Sequence, residues 1–380
     1  MAAAVSCIYP FDAELPSEVV ERLVVDGDIL VGEISRIKVS YLQPIGTVPV
    51  ETGEALATVW AEGNESGIIR GTYVGGGTYT LDTRDAGKSD KFRLSLKVHS
   101  TGKEYSTDWL PVHSAPTNLS LDYSIDDDYL HLLLSLDGNG DGYYRFDFDE
   151  TWEFHADFIP THQYDFSPEA KKYPIMTIPE GVDAMANYYC WSSDSSKEPG
   201  LATSSGLKED RLSGLDVTDI RRIDRKLSEI YYADVAVRAL SREGYDYLYN
   251  LDVNSNNTGS LFSPVPSDVR GNIRCLADST EVIIGHVEAT RPAHCEIYID
   301  NLKSRAFKGE YGNRLLLSKP EPDEDGVIDF YQYYLMGYRP VGIFTVNEVT
   351  DVFWAPLRCV DCTAAGGVKT KPAGWPDNHI

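Results

Sequence analysis

From Glu21 to about His113 the sequence runs as one short apolar–polar alternation after another, with turn residues between them. Residues 23–30, 36–42, 54–60, 77–81, 92–98 and 105–109 each fit a strand with one buried face. Six such segments within about ninety residues leave little room for helices. They predict an N-terminal β-sandwich over residues 21–115, immunoglobulin-like or prealbumin-like in type. The run Gly75-Gly76-Gly77 has no Lys-Ser/Thr behind it and no helix to open, so it is read as a turn and not a phosphate loop. His113-Ser-Ala-Pro-Thr117 marks the boundary.

A second, larger β-rich domain is expected over residues 116–357. Its strands open at 119–123, 129–136 and 143–148, and continue at 231–240, 282–287, 296–300, 329–334 and 341–346. One helix is predicted near 242–256, where Ser241 can cap and Tyr245, Leu248, Tyr249 and Leu251 recur at helical spacing. Residues 217–230 are charged and weakly periodic, and read as irregular or a short helix. Residues 358–380 form a Gly/Pro-rich tail carrying Cys359-Val-Asp-Cys362. Mainly β is therefore the fold class.

Composition then excludes several function classes. Asp and Glu number 59 against 34 Lys and Arg, a net charge of −25. Nucleic-acid affinity comes mainly from cations neutralising phosphates, so a nucleic-acid partner is not expected, nor is adsorption to anionic lipid through a basic patch. The 24 Tyr and 31 Gly against four Met fit extended, turn-rich structure. No G-x-S-x-G, H-E-x-x-H or Walker loop occurs, so no catalytic residue is proposed and the chain reads as a non-enzyme.

Other residues could carry chemistry. Ala4, Val5 and Ser6 run into Cys7 in the form of a lipobox, whose cysteine is acylated; a chance cysteine is the competing reading. The acidic, Pro-containing stretch after it, within residues 1–20, fits a tether. Asp137, Asn139 and Asp141 match the first half of a calcium loop, but Phe148 stands where the bidentate acid belongs. A Gly-rich hairpin turn is preferred there, with calcium as the weak alternative and no other cofactor expected. His155 and His162, with Asp157 and Asp165 nearby, could reach one metal, although packing or surface histidines are the simpler account. The Cys359/Cys362 pair has no second C-x-x-C to complete a zinc site, and a structural staple for the tail is preferred.

Several phrases, taken in order, carry a family resemblance. They are Leu23-Val-Val-Asp-Gly-Asp28, Gly77-Thr-Tyr-Thr-Leu81, Tyr143-Tyr-Arg-Phe146 and Tyr189-Cys-Trp191. Thr258-Gly-Ser-Leu-Phe262, Gly271-Asn-Ile-Arg-Cys275 and Val282-Ile-Ile-Gly285 follow, then the tail from Cys359 to Trp375. Together they resemble the DUF4249 (domain of unknown function) family of Bacteroidetes lipoproteins over essentially the whole chain. The resemblance implies a cell-surface lipoprotein of the outer membrane, held by lipid on Cys7, partnering a TonB-dependent transporter of the starch-utilisation type in nutrient uptake. It places Cys190, Cys275, Cys359 and Cys362 in family-like phrases, as disulfide candidates. Cys295 is then the odd thiol, with a Cys275–Cys295 pair as the alternative. It supplies no catalytic residues and does not identify the cargo. A stand-alone adhesin or glycan-binding lipoprotein is the rival expectation.

Overall fold

The computed structural model describes residues 22–42, 54–140, 142–170, 173–256, 270–307, 314–346 and 349–377. The protein is mainly β. Its chain divides into two compact units, Met1–Ala115 with Arg238–Pro292, and Pro116–Val237 with Ala293–Ile380. The expected second domain of 116–357 is thus interrupted. Residues 238–292, including the helix Arg242–Asn256, cluster with the N-terminal strands.

Strand pairing gives the physical reason. In the first unit, Ala289–Thr290 pairs in parallel with both Ile29–Leu30 and Leu110–His113, and Ile273–Cys275 pairs antiparallel with Glu104–Thr107. The returning segment thereby fills open hydrogen-bonding edges that the N-terminal strands leave. Leu23–Asp26, Ile34–Tyr41, Thr78–Asp82 and Thr72–Gly75 make a four-stranded sheet; Ala57–Gly63 and Lys91–Val98 lie in the larger one. Both sheets turn alternate side chains into one core: Val25, Ile37, Val39 and Leu81 from the first, Val59, Phe92, Leu94 and Leu96 from the second. Tyr79 is 2% exposed and links them, its hydroxyl accepting the Ala57 N–H at 2.8 Å.

Residues 282–287, expected as a strand, make only an isolated bridge, Val24 to Ile284. The cause is close packing. Gly285 sits at φ +144°, where a Cβ would lie 2.0 Å from the Val25 carbonyl oxygen, and a Cβ on Gly271 would lie 1.5 Å from the Gly285 carbonyl oxygen. Only glycine fits such an approach. The Asn272 side chain then takes a strand's place, bonding both the N–H and the carbonyl of Val287 at 2.9 and 2.7 Å.

Glu288 gathers this unit. Its carboxylate, on a residue 4% exposed, meets the Ser241 hydroxyl at 2.5 Å, His286 Nε2 at 2.9 Å and His113 Nε2 at 3.3 Å. Ser241 in turn accepts the Gly244 N–H at 2.9 Å, capping the predicted helix. Asp28 accepts the Glu288 backbone N–H at 3.0 Å and pairs with Arg238 at 3.2 Å.

In the second unit, Thr117–Ile125, Tyr129–Asp137 and Arg211–Arg221 form an antiparallel sheet. Residues 217–221, expected as irregular or helical, are therefore strand; the apolar run at 130–136 recruits them by pairing, and a 3-10 turn, Arg225–Leu227, follows. Tyr189–Ser195, Tyr143–His155, Ile230–Ala239 and Ala293–Asp300 form a second sheet. Phe330–Leu335 is a helix and not the expected strand. Asp329 caps it by accepting the Gln332 N–H at 2.8 Å, and Gly337 follows at φ +90°.

Burial alone pushes the Glu288 carboxyl up, but the His113, His286 and Ser241 bonds outweigh it and leave the group at about 2. A depressed acid contributes stability above its unfolded value of 4.5 that is lost as pH falls toward 2. Glu288→Gln is expected to cost about 3 kcal/mol at pH 7 in urea unfolding, the gap narrowing at pH 3. An equal cost at both pH values would contradict the clamp.

Candidate functional site

A disulfide fixes the tail that walls the second unit's cavities. Cys362 is disulfide-bonded to Cys190, 172 residues earlier, with Cα atoms 5.7 Å apart. Gly367 lies so close that a Cβ there would be 2.5 Å from Cys190 Cβ and 2.7 Å from Phe154. Val368 and Trp191 exchange backbone bonds at 2.8 and 2.9 Å. Trp375, 6% exposed, donates its indole N–H to the buried Glu153 at 3.1 Å. The two cysteines of the C-x-x-C do not bond to each other.

Two disulfide candidates are corrected. Cys275 and Cys359 are buried free thiols, and Cys295 is free as well, so the alternative Cys275–Cys295 pair does not form. Cys275 lies in a strand of the first unit with its thiol on Glu281, while Cys295 lies in a strand of the second. Cys359 packs among Phe158, Val341 and Phe353 beside Asp157. Burial, reinforced by the Asp157 carboxylate, pushes its thiol up to about 11.

The pinned tail forms one wall of a cleft of about 350 Å³ in the second unit. Leu357, Val360 and Asp361 line it from the tail, His162, Gln163, Tyr164 and Phe166 from the hairpin side, and Tyr334 and Arg339 from the region of the short helix. Phe330, Tyr333 and Tyr334 are spaced i, i+3, i+4, so one helix face carries three rings. Phe330 and Tyr333 pack on the fully buried Trp354, at 6.2 and 5.5 Å between ring centroids. Tyr334 instead meets Tyr164 at 5.0 Å and Phe166 at 5.2 Å. Arg339 stands 3.5 Å over the Tyr334 ring, held there by donation to the carbonyls of Tyr334 and Tyr338 at 3.0 and 2.7 Å.

Along the tail wall, Asn187 donates to Asp361 at 2.9 Å, and the Cys362 N–H bonds the Asn187 carbonyl at 2.9 Å. That wall is therefore tied directly to the disulfide. Phe166 is 64% exposed and Val182 53%, large apolar groups left open at the cleft. Flat aromatic faces flanked by a fixed cation, amides and carboxylates can stack against a ligand and orient its hydroxyl or amide groups. His162 bonds Thr161 at 2.9 Å, while the Thr161 hydroxyl also reaches the Val341 carbonyl at 3.2 Å.

The remaining candidates lie elsewhere. His155 stacks on Tyr188 at 4.8 Å, its Nε2 3.4 Å from Glu229, whereas His162 lines the cleft. Among the described residues no group of three metal-ligating side chains occurs. The Asp137 carboxylate is taken by Arg211 at 2.5 Å and Asn118 at 2.8 Å. Asp210 enters the neighbouring loop and accepts the Gly140 N–H at 2.6 Å and the Tyr144 hydroxyl at 2.7 Å. Asn139 lies in that loop, and Asp141 lies outside the described residues, as do Cys7 and the proposed tether in residues 1–20. Sequence reasoning missed Tyr334, Arg339 and the Asn187–Asp361 wall. The i, i+3, i+4 aromatic spacing after Asp329 was the signal available for the first of these.

Glu229, 6% exposed, is the other unusual group. Burial, then the neighbouring Glu153 and Asp300 charges, raise its carboxyl to about 7. A raised acid costs stability progressively as pH rises from its unfolded 4.5 to 7. Glu229→Gln is thus expected to stabilise the protein at pH 8 by about 2–3 kcal/mol relative to its effect at pH 4. Calorimetric midpoints of both proteins at both pH values check this; a pH-independent difference would refute it.

A family model, Domain of unknown function (DUF4249), matches residues 8–294, 287 of the 380 residues. No curated protein matches the chain. The matched span covers all but the first seven residues of the first unit and the strands up to His294, while the tail phrases from Cys359 to Trp375 lie beyond it.

Proposed function

The chain belongs to the DUF4249 family, and we propose that it is a non-enzymatic, lipid-anchored protein of the outer-membrane surface that captures cargo for a TonB-dependent transporter of the starch-utilisation type. The observation that carries this reading is the open aromatic cleft of the second unit, with Tyr164, Phe166 and Tyr334 in mutual contact and Phe166 64% exposed. Leaving such a ring in water forgoes roughly 1–2 kcal/mol of burial, which a stacked ligand or partner would recover. The disulfide fits an exported protein, since such bonds persist in oxidising compartments. Cys7 supplies the anchor in this reading, and the acids after it supply a solvated tether.

Three measurements bear on it. Cys7→Ser is expected to move the protein from the membrane fraction to the soluble fraction. The lipoprotein extracted gently in detergent is expected to bring down a TonB-dependent barrel, identified by mass spectrometry. Phe166→Ala, an exposed position, is expected to weaken cargo retention by that complex about tenfold with the fold intact. Glycan-array binding by the soluble region with no barrel in the pull-down would instead establish the stand-alone glycan-binding lipoprotein and overturn the transporter reading.

A further inference from the structure

On the other side of the tail segment lies a second cavity of about 400 Å³, also within the second unit. Three of its eight lining residues are arginines, Arg221, Arg225 and Arg358. The whole chain has 34 Lys and Arg among 380 residues, so this is a local concentration of cations in a strongly acidic protein. We propose that this cavity binds a small organic oxyanion, one bearing a carboxylate or phosphate group, independently of the aromatic cleft.

The cavity has a built floor. Asp157, its side chain 1% exposed, holds the Arg225 guanidinium at 2.8 Å, so that cation is oriented before a ligand arrives. Asp224 spends one carboxylate oxygen on the Lys226 N–H at 3.0 Å, capping the 3-10 turn that carries Arg225. Arg221 and Arg358 are exposed, and among the described residues neither makes an ion pair or side-chain hydrogen bond. The two aspartates offset two of the three cations, which leaves a net positive pocket with two uncommitted guanidinium forks. Planar forks match the paired oxygens of a carboxylate or phosphate, a geometry that a lysine cluster would not offer. Ile223 and Leu316 add apolar wall, so the volume suits an anionic head on a small organic body and exceeds what a bare ion fills. Arg221 and Arg225 come from one strand end and the turn after it, whereas Arg358 comes from the stapled tail. The site thus exists only once the tail is docked.

Titration calorimetry of the intact protein with citrate and, separately, with glucose 6-phosphate tests the proposal at fixed ionic strength set with chloride. Saturable one-to-one binding of one of the two is expected, and which one binds distinguishes carboxylate from phosphate. Arg221→Ala and Arg358→Ala should each weaken that binding at least tenfold, while Arg70→Ala, an exposed arginine of the first unit, should leave it unchanged. Both lost side chains are exposed, so the folded baseline should hold, and thermal midpoints without anion verify it. Absence of binding by both anions, or equal binding by wild type and both pocket variants, would overturn the site.

Discussion

The Cys190–Cys362 bond is the constraint on which the second unit's cavities depend. It closes a loop of 172 residues, and the chain-entropy relation gives such a closure on the order of 5 kcal/mol against the unfolded state. Its structural effect is more local. The segment 357–362 is pressed between two cavities, giving Leu357, Val360 and Asp361 to the aromatic cleft and Arg358 and Cys359 to the arginine pocket. The Asn187 carbonyl bonded to the Cys362 N–H ties a neighbouring lining residue of the cleft to the same point. One crosslink therefore sets the geometry of both.

Two buried carboxylates show how neighbours decide what burial does. Glu288 and Glu229 are 4% and 6% exposed, so both are strongly desolvated. Glu288 receives two imidazoles and a hydroxyl and stays ionised; Glu229 faces Glu153 and Asp300 and is driven toward the neutral form. The first clamps Asp28, His113, Ser241 and His286 together in the first unit. The second places a titrating group near neutrality behind Tyr188 and His155.

The sequence was legible where structure is local. Period-two alternation located most strands, and Ser241 with its helical spacing located the helix Arg242–Asn256. Six residues are too few to separate a period of two from one of 3.6, so Phe330–Leu335 read as a strand until Asp329 and Gly337 are recognised as its limits. The return of residues 238–292 to the first unit depends on pairing across some 180 residues, which no window of sequence contains. The same holds for the cysteines: spacing suggested a staple, yet the partner of Cys362 was set by the fold, and Cys359 stayed a buried thiol. Arg221, Arg225 and Arg358 became a cluster only after the tail docked. Fold class was thus readable in the chain, and the sites, assembled from distant segments, were not.

The disulfide-pinned tail holds the second unit's binding surfaces in place. Hydrogen exchange of the Cys190→Ser/Cys362→Ser protein against wild type measures this segment by segment. Protection should fall across residues 160–170, 173–187, 334–346 and 349–368 while the strands at 57–63 and 91–98 exchange as before. Unchanged protection along the tail and cleft walls, or a uniform loss throughout both units, would contradict it.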